Sequence, residues 1–238
     1  MINKQVADMA AALEGIGDGA TVMIGGFGAV GQPNALIAAL ADLKRRNLTV
    51  IANNAGFEAE IGLGLLIGSG SVGKIICSFP RGSVAFDTQY KAGKIALEVV
   101  PQGTLAERIR AAGAGVPAFF TATSAGTRLG EGKEQRTIDG RDYVLEYALK
   151  ADVALIEAWN ADRWGNLTYR GSGRNFNPIM ATAAQLTIVQ AQHIVPLGTI
   201  KPDDVVTQGI FVDRVLHVPC GDPPIAKVAA KVAKAVAR

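Results

Sequence analysis

The residues best suited to chemistry in this sequence of 238 lie directly after an apolar run. Thr21-Val22-Met23-Ile24 leads into Gly25-Gly26-Phe27-Gly28-Ala29-Val30-Gly31-Gln32-Pro33. A glycine-lined loop between a strand and a helix lets backbone N–H groups come close to a ligand. Gly26-x-Gly28-x-x-Gly31 also satisfies the dinucleotide pattern. In a dinucleotide fold, however, the helix starts inside the glycine run and aims its N-terminus at the pyrophosphate. Here Pro33 puts the helix start after the last glycine. The strand that should end in an acidic ribose ligand ends instead in Asn53-Asn54, and no Walker lysine is present. Nicotinamide binding is therefore the weaker reading of the loop. Asn53-Asn54 and Gln102 follow apolar runs, at the strand ends where open α/β sheets bind ligands. Neutral amides there can donate to a developing oxyanion. The competing readings are turn chemistry for the asparagines and a plain helix start for Gln102.

These residues need a scaffold, and the pattern alternates helix and strand from end to end. Helices are expected at Gln5–Leu13, Pro33–Lys44, Ser83–Ala92, Gly103–Ala112 and near Asn175–Ala184. Strands are expected at Ala20–Ile24, Leu48–Ala52, Lys74–Ser78, Ile95–Val100, Tyr143–Glu146, Val153–Ile156 and Leu186–Val189. Continuous apolar strands between helices imply α/β architecture: one open, mostly parallel sheet with helices on both faces. The stretch from Pro117 to Asp142 is expected to form a small inserted lobe. Residues 1–222 then make one domain. Residues 223–238 make an amphipathic tail helix, with Ile225, Val228, Val232 and Val236 at helical spacing.

Composition removes several classes of function. At 49% hydrophobic and 19% charged, the chain can bury a core. Net charge is 24 − 21 = +3. Lys227, Lys231, Lys234 and Arg238 carry the excess, and no basic, aromatic-bearing face for nucleic acid appears before them. Cys77 and Cys220 form no CxxC, and His193 and His217 are too few for a histidine metal centre. No metal is expected. The N-terminus lacks the apolar core of a signal peptide, and Gly19–Ala41 and Pro178–Ile200 are broken by Gly, Pro and Gln. A soluble, cytoplasmic protein is expected.

The sixteen residues Asp18–Pro33 match a longer pattern throughout: Asp-Gly, two residues, three aliphatics, Gly-Gly-Phe, three residues, Gly, one residue, Pro. In this the chain resembles the first (A, or α) subunit of family I coenzyme A transferases. Other segments agree in order, among them Leu48–Ile51 with Asn53–Gly56, Pro101–Arg110, Gly115–Phe119, Glu131–Glu134 and Arg174–Phe176. The resemblance covers Met1 to Val215. It implies a coenzyme A thioester as substrate, with no bound cofactor, and assigns Gly25, Gly26, Phe27, Gly28, Ala29, Val30 and Gly31 to thioester binding. Asn53 and Asn54 would line the site, and Gln102 would assist the oxyanion.

Family members use a glutamate that attacks the thioester, passes through an anhydride and becomes a glutamyl-CoA thioester. In the family it lies in a Ser-Glu-Asn-Gly motif of the second, or B, chain of the complex. This sequence contains no such motif. Glu107, Glu131 and Glu134 read as solvated charges, and Glu58 and Glu60 as first-turn helix charges. The resemblance thus implies a heterodimer or heterotetramer with a B subunit that supplies the nucleophile. Cys77–Arg81, Phe86-Asp87, Ala92–Ile95 and Asp162–Arg170 lean toward members that pass CoA from succinyl-CoA to 3-oxoadipate over those that use acetoacetate. Gly171-Ser172-Gly173 and the short stretch between Arg81 and Phe86 depart from the family pattern. A dicarboxylic acid calls for a cation at its distal carboxylate, for which Arg81, Arg170 and Arg174 are candidates. A nicotinamide oxidoreductase and a non-catalytic α/β ligand-binding protein are the alternatives from other classes.

Overall fold

The computed structural model describes residues 2–219. The expected tail helix at 223–238 lies outside them. Eleven named strands and six α-helices alternate along the described chain. They are α1 (Met9–Leu13), β1 (Thr21–Ile24), α2 (Asn34–Asp42), β2 (Leu48–Asn54), α3 (Gly62–Gly68), β3 (Val72–Phe79), α4 (Val84–Lys91), β4 (Ala96–Val99) and α5 (Gln102–Gly113). After these come β5 (Ala118–Thr121), β6 (Gln135–Ile138), β7 (Arg141–Tyr147), β8 (Ala151–Ala161), β9 (Leu167–Thr168), α6 (Asn177–Ala181), β10 (Ala184–Ile194) and β11 (Arg214–His217).

The main sheet runs β11-β10-β8-β1-β2-β3-β4, parallel throughout, with the short β9 antiparallel on the end of β8. Its central strands are apolar on both faces because both are covered. Val22, Ile24, Val50, Leu155 and Ile188 pack against α1 to α4, and Met23, Ile51, Ile76, Ile156 and Val189 against α5 and α6. From β1 the chain winds outward through β2, β3 and β4, then returns to lay β8 on the other side of β1 and continues to β10 and β11. The order therefore reverses between β1 and β8. In open α/β sheets that switch point, at the carboxyl ends of the strands, is where ligands bind.

Several expected boundaries shift. The first helix begins at Met9, because Gln5 is taken up by a parallel bridge to Val215 in β11. Val6 N–H donates to the Val215 carbonyl and Val215 N–H to the Lys4 carbonyl, while Lys4 Nζ donates to the carbonyls of Gly209 and Val212. The helix expected near Asn175–Ala184 is confined to Asn177–Ala181. The lobe is a three-stranded antiparallel sheet, β5-β7-β6, that reaches Tyr147. Tyr143–Glu146 thus belongs to the lobe and not to the main sheet. Arg108 of α5 fastens the lobe to the body, donating from Nε to the Tyr147 carbonyl (2.7 Å) and from Nη1 to Glu98 (3.0 Å). Buried Glu146 lies 3.8 Å from Arg108 Nε and accepts a hydrogen bond from Lys133.

Candidate active site

The glycine run does not flow into α2. Phe27 N–H donates to the Val30 carbonyl (2.9 Å) and Val30 N–H to the Phe27 carbonyl (3.1 Å), which closes a two-residue hairpin at Gly28-Ala29. Gly28 has φ +62°, at the first central position where such turns favour glycine. The hairpin stands on the carboxyl end of β1 at the switch point, with half-exposed Phe27 and Val30 on its two legs. Pro33 caps α2 only after the run has ended. The dinucleotide arrangement, with the helix N-terminus inside the glycines, is absent from this loop.

Backbone donors are fewer than the glycine count suggests. Gly25 N–H donates to the Leu155 carbonyl, Gly26 N–H to Asn175 Oδ1, and Gly28 N–H makes a long contact to Asn53 Oδ1 (3.4 Å). Within 25–31, the N–H groups of Ala29 and Gly31 have no acceptor among the described residues.

Asn53 and Asn54, both buried at the end of β2, take different roles. Asn54 Oδ1 accepts from Gly56 N–H (2.7 Å), a side-chain-capped turn, and Asn54 Nδ2 donates to the Gly28 carbonyl (3.1 Å). Asn53 Nδ2 is buried beside the hairpin with no protein partner among the described residues. An unmet buried donor costs about 1–3 kcal/mol, so Asn53 is the asparagine with a hydrogen bond left to give.

Two cavities flank the hairpin. The smaller, about 440 Å³, lies on the α5 side, lined by Phe27, Gln102, Gly103, Ala106, Asn175, Phe176 and Ile179. Gln102 opens α5 directly after Pro101, which fixes φ at the helix start. Its side chain is exposed and makes no hydrogen bond among the described residues, so the amide is free to meet a ligand. The larger cavity, about 740 Å³, lies on the α2 side and contains Val30, Gly31, Glu157, Trp159, Tyr169 and Arg170.

The three candidate arginines separate. Arg170 enters the larger cavity, its guanidinium 4.5 Å above the Trp159 ring. Arg174 is exposed ahead of α6, and Arg81 is exposed in the turn after β3; neither lines either cavity. Glu58 and Glu60 are exposed in the bend before α3, so they are not first-turn charges. Burial pushes the Cys77 thiol up to about 12 and keeps it out of any thiolate chemistry.

Glu157 is the functional candidate that sequence reading missed. Strand β8 continues five residues past Ile156, and Glu157 lies on it beside Gln190 of β10. Its carboxyl faces the larger cavity, and burial raises it to about 7. The available signal was a lone acid inside the apolar run Val153–Ala158. Asn175 and Asn177 were missed as well: their amides bond the hairpin while the neighbouring Arg174 does not.

Comparison with known proteins gives one consistent result. The family described as "Coenzyme A transferase" matches residues 6–217. The chain is 58% identical over 220 residues to the A subunit of the 3-oxoadipate CoA-transferase of Pseudomonas putida, covering 92% of this chain and 95% of that protein. It is 52% identical over 214 residues to the A subunit of the succinyl-CoA:3-ketoacid coenzyme A transferase of Xanthomonas campestris, covering 90% and 88%. Among solved structures, an acyl-CoA transferase from Escherichia coli O157:H7 superposes with a TM-score of 0.81 at 24% identity, over 91% of this chain and 47% of that one. The fold, the sixteen-residue glycine signature and these matches agree: the chain belongs to the coenzyme A transferase family.

Proposed function

We propose that the chain is the A subunit of a heteromeric, cytoplasmic CoA-transferase that passes CoA from succinyl-CoA to a 3-oxo acid, with 3-oxoadipate as the preferred acceptor. The observation that carries this reading is the free amide of Gln102, held in a cavity beside the glycine hairpin, in a chain with no Ser-Glu-Asn-Gly nucleophile. The partner B subunit supplies that glutamate. Its carboxylate adds to the thioester carbonyl, and the tetrahedral oxyanion collapses to an acyl-glutamyl anhydride and CoA thiolate. The thiolate then attacks the glutamyl carbonyl and releases succinate, leaving glutamyl-CoA. The same steps in reverse load the acceptor acid, so no ATP is consumed.

Within this scheme Gln102 donates to the oxyanion, where a neutral donor stabilises developing charge without pairing with the ground-state carboxylate, and buried Asn53 supports the hairpin behind it. The N–H groups of Ala29 and Gly31 orient the thioester. Arg170, braced on Trp159, takes the distal carboxylate of a dicarboxylic acceptor. The greater identity to the 3-oxoadipate relative than to the 3-ketoacid relative supports the same acceptor. Among the described residues no helix is long and apolar enough to cross a membrane.

Co-expression with a neighbouring coding sequence that contains Ser-Glu-Asn-Gly tests the proposal. CoA exchange from succinyl-CoA is measured with 3-oxoadipate and with acetoacetate, then repeated with the partner's glutamate removed. Faster exchange with 3-oxoadipate, abolished by that removal, is expected. Preference for acetoacetate overturns the acceptor, and exchange by the chain alone overturns the need for a partner.

A further inference from the structure

The hairpin is closed by only two hydrogen bonds of its own, yet its backbone must keep one shape if it is to bind a thioester. Asn54 Nδ2 and Gln32 Nε2 both donate to the Gly28 carbonyl at its tip, and its legs and base are held by two asparagines that follow the Gly171–Gly173 turn. Asn175 Oδ1 accepts from Gly26 N–H (3.1 Å), and Asn175 Nδ2 donates to the Val30 carbonyl (3.0 Å), so one amide grips both legs. The same amide also accepts from Phe176 N–H (2.6 Å) and donates to the Ser172 carbonyl (2.8 Å). Its two donors and two lone pairs are then spent, and it has nothing to offer a ligand although it borders the Gln102 cavity. Fully buried Asn177 accepts from Glu157 N–H (3.0 Å) and donates to the carbonyls of Gly31 (3.0 Å) and Gly173 (2.8 Å), tying the hairpin base to β8. The fit leaves no slack. A Cβ at Gly25 would sit 1.8 Å from Asn177 Oδ1, and one at Gly31 would sit 2.6 Å from the Gly173 carbonyl and 2.8 Å from Asn175 Nδ2.

We propose that Asn175 and Asn177 are positioning residues for CoA transfer: they set the hairpin between the Gln102 cavity and the larger cavity that Ala29 and Gly31 line, so that its backbone meets the thioester in one fixed shape. The inference rests on the preceding reading that the hairpin binds the thioester. Neither asparagine touches the reacting carbon; each acts through the backbone it holds.

The test uses the reconstituted complex with its B subunit. Asn175→Asp keeps the shape and the acceptor to Gly26 but turns the donor toward Val30 into an acceptor. Misplacing a catalytic group by about 1 Å can cost a hundredfold in rate. The expected result is a fall in kcat of about tenfold or more, with KM for succinyl-CoA within about threefold and an unchanged thermal midpoint. Gly31→Ala, which crowds the same amide and strains a backbone at φ +70°, should lower kcat as well, together with the thermal midpoint. The double variant should lose little more than the worse single one, because coupled residues are non-additive. A folded Asn175→Asp complex with wild-type kcat overturns the proposal, and so do additive losses. Loss of folding or assembly in Asn175→Asp marks a purely structural role and overturns it too. A wild-type complex that exchanges no CoA removes the preceding reading and this one with it.

Discussion

Replacing Glu157 by Gln should stabilise the protein increasingly as pH rises from about 4.5 to 7. The carboxyl has an ordinary value of 4.5 and is raised to about 7 by burial in the larger cavity. An acid whose value is raised on folding contributes its stability below the unfolded value and loses it as pH climbs through the folded one. Below pH 4 the folded and unfolded states both carry Glu157 largely protonated, and the variant gains almost nothing. At pH 8.5 the native state must hold an ionised carboxylate that burial disfavours. Moving a carboxyl from 4.5 to about 7 corresponds to roughly 3 kcal/mol at 1.36 kcal/mol per pH unit. Solvent entering the open cavity screens part of that, leaving about 2 kcal/mol. Glu157→Gln keeps the shape and removes the ionisation. Denaturant unfolding of both proteins from pH 3.5 to pH 8.5 isolates the effect, because every other titrating group is shared. The difference should be near zero below pH 4, grow between about pH 4.5 and 7, and level off above that. Parallel curves would refute the burial argument.

Gln102→Ala should lower kcat by about a hundredfold or more, the usual cost of one oxyanion donor. Thermal stability should hold, because the side chain is exposed and leaves no buried group unpaired; a kcat within twofold of wild type would remove Gln102 from the reaction. Arg170→Lys should raise KM for 3-oxoadipate about tenfold and leave acetoacetate nearly unaffected, since lysine loses both the two-pronged grip and the stack on Trp159. Equal changes for both acids would show that Arg170 does not read the distal carboxylate. Glu146→Ala should destabilise the fold by about 1–2 kcal/mol, because Lys133 loses its carboxylate partner and Arg108 keeps only Glu98; an unchanged midpoint in calorimetry would contradict this.

The parallel sheet was readable because strands covered on both faces leave a plain mark. Val22-Met23-Ile24, Val50-Ile51 and Val153–Ile156 are apolar without alternation, as such strands must be. The elements that escaped have weaker local signals. Gly62–Gly68 is helical although three of its seven residues are glycine, a composition of poor intrinsic propensity. Packing of Leu63, Leu66 and Ile67 into the core decides its state. Strand β8 reads as ending at Ile156 because Glu157, Asn160 and Asp162 interrupt the apolar run; its pairing with β10 continues to Ala161. The site divides in the same way. The glycine signature, Asn53, Asn54 and Gln102 stand at strand ends, where topology alone points. The clamp from Asn175 and Asn177 crosses about 150 residues of sequence through single hydrogen bonds, and no local pattern encodes such bonds.

The placement of β1 has a consequence for the timing of folding. This central strand pairs on one side with β2, some thirty residues later, and on the other with β8, where Val22 meets Val153. At a synthesis rate of about 5–20 residues per second, one edge of the nascent half-sheet lacks its partner for on the order of ten seconds. An uncovered apolar strand edge is a template for pairing with other chains. The last seam, Lys4 to Val6 against β11, cannot close until residue 215 has left the ribosome. Truncations that end between the completion of β4 and the arrival of β8 leave that edge of β1 uncovered and should aggregate.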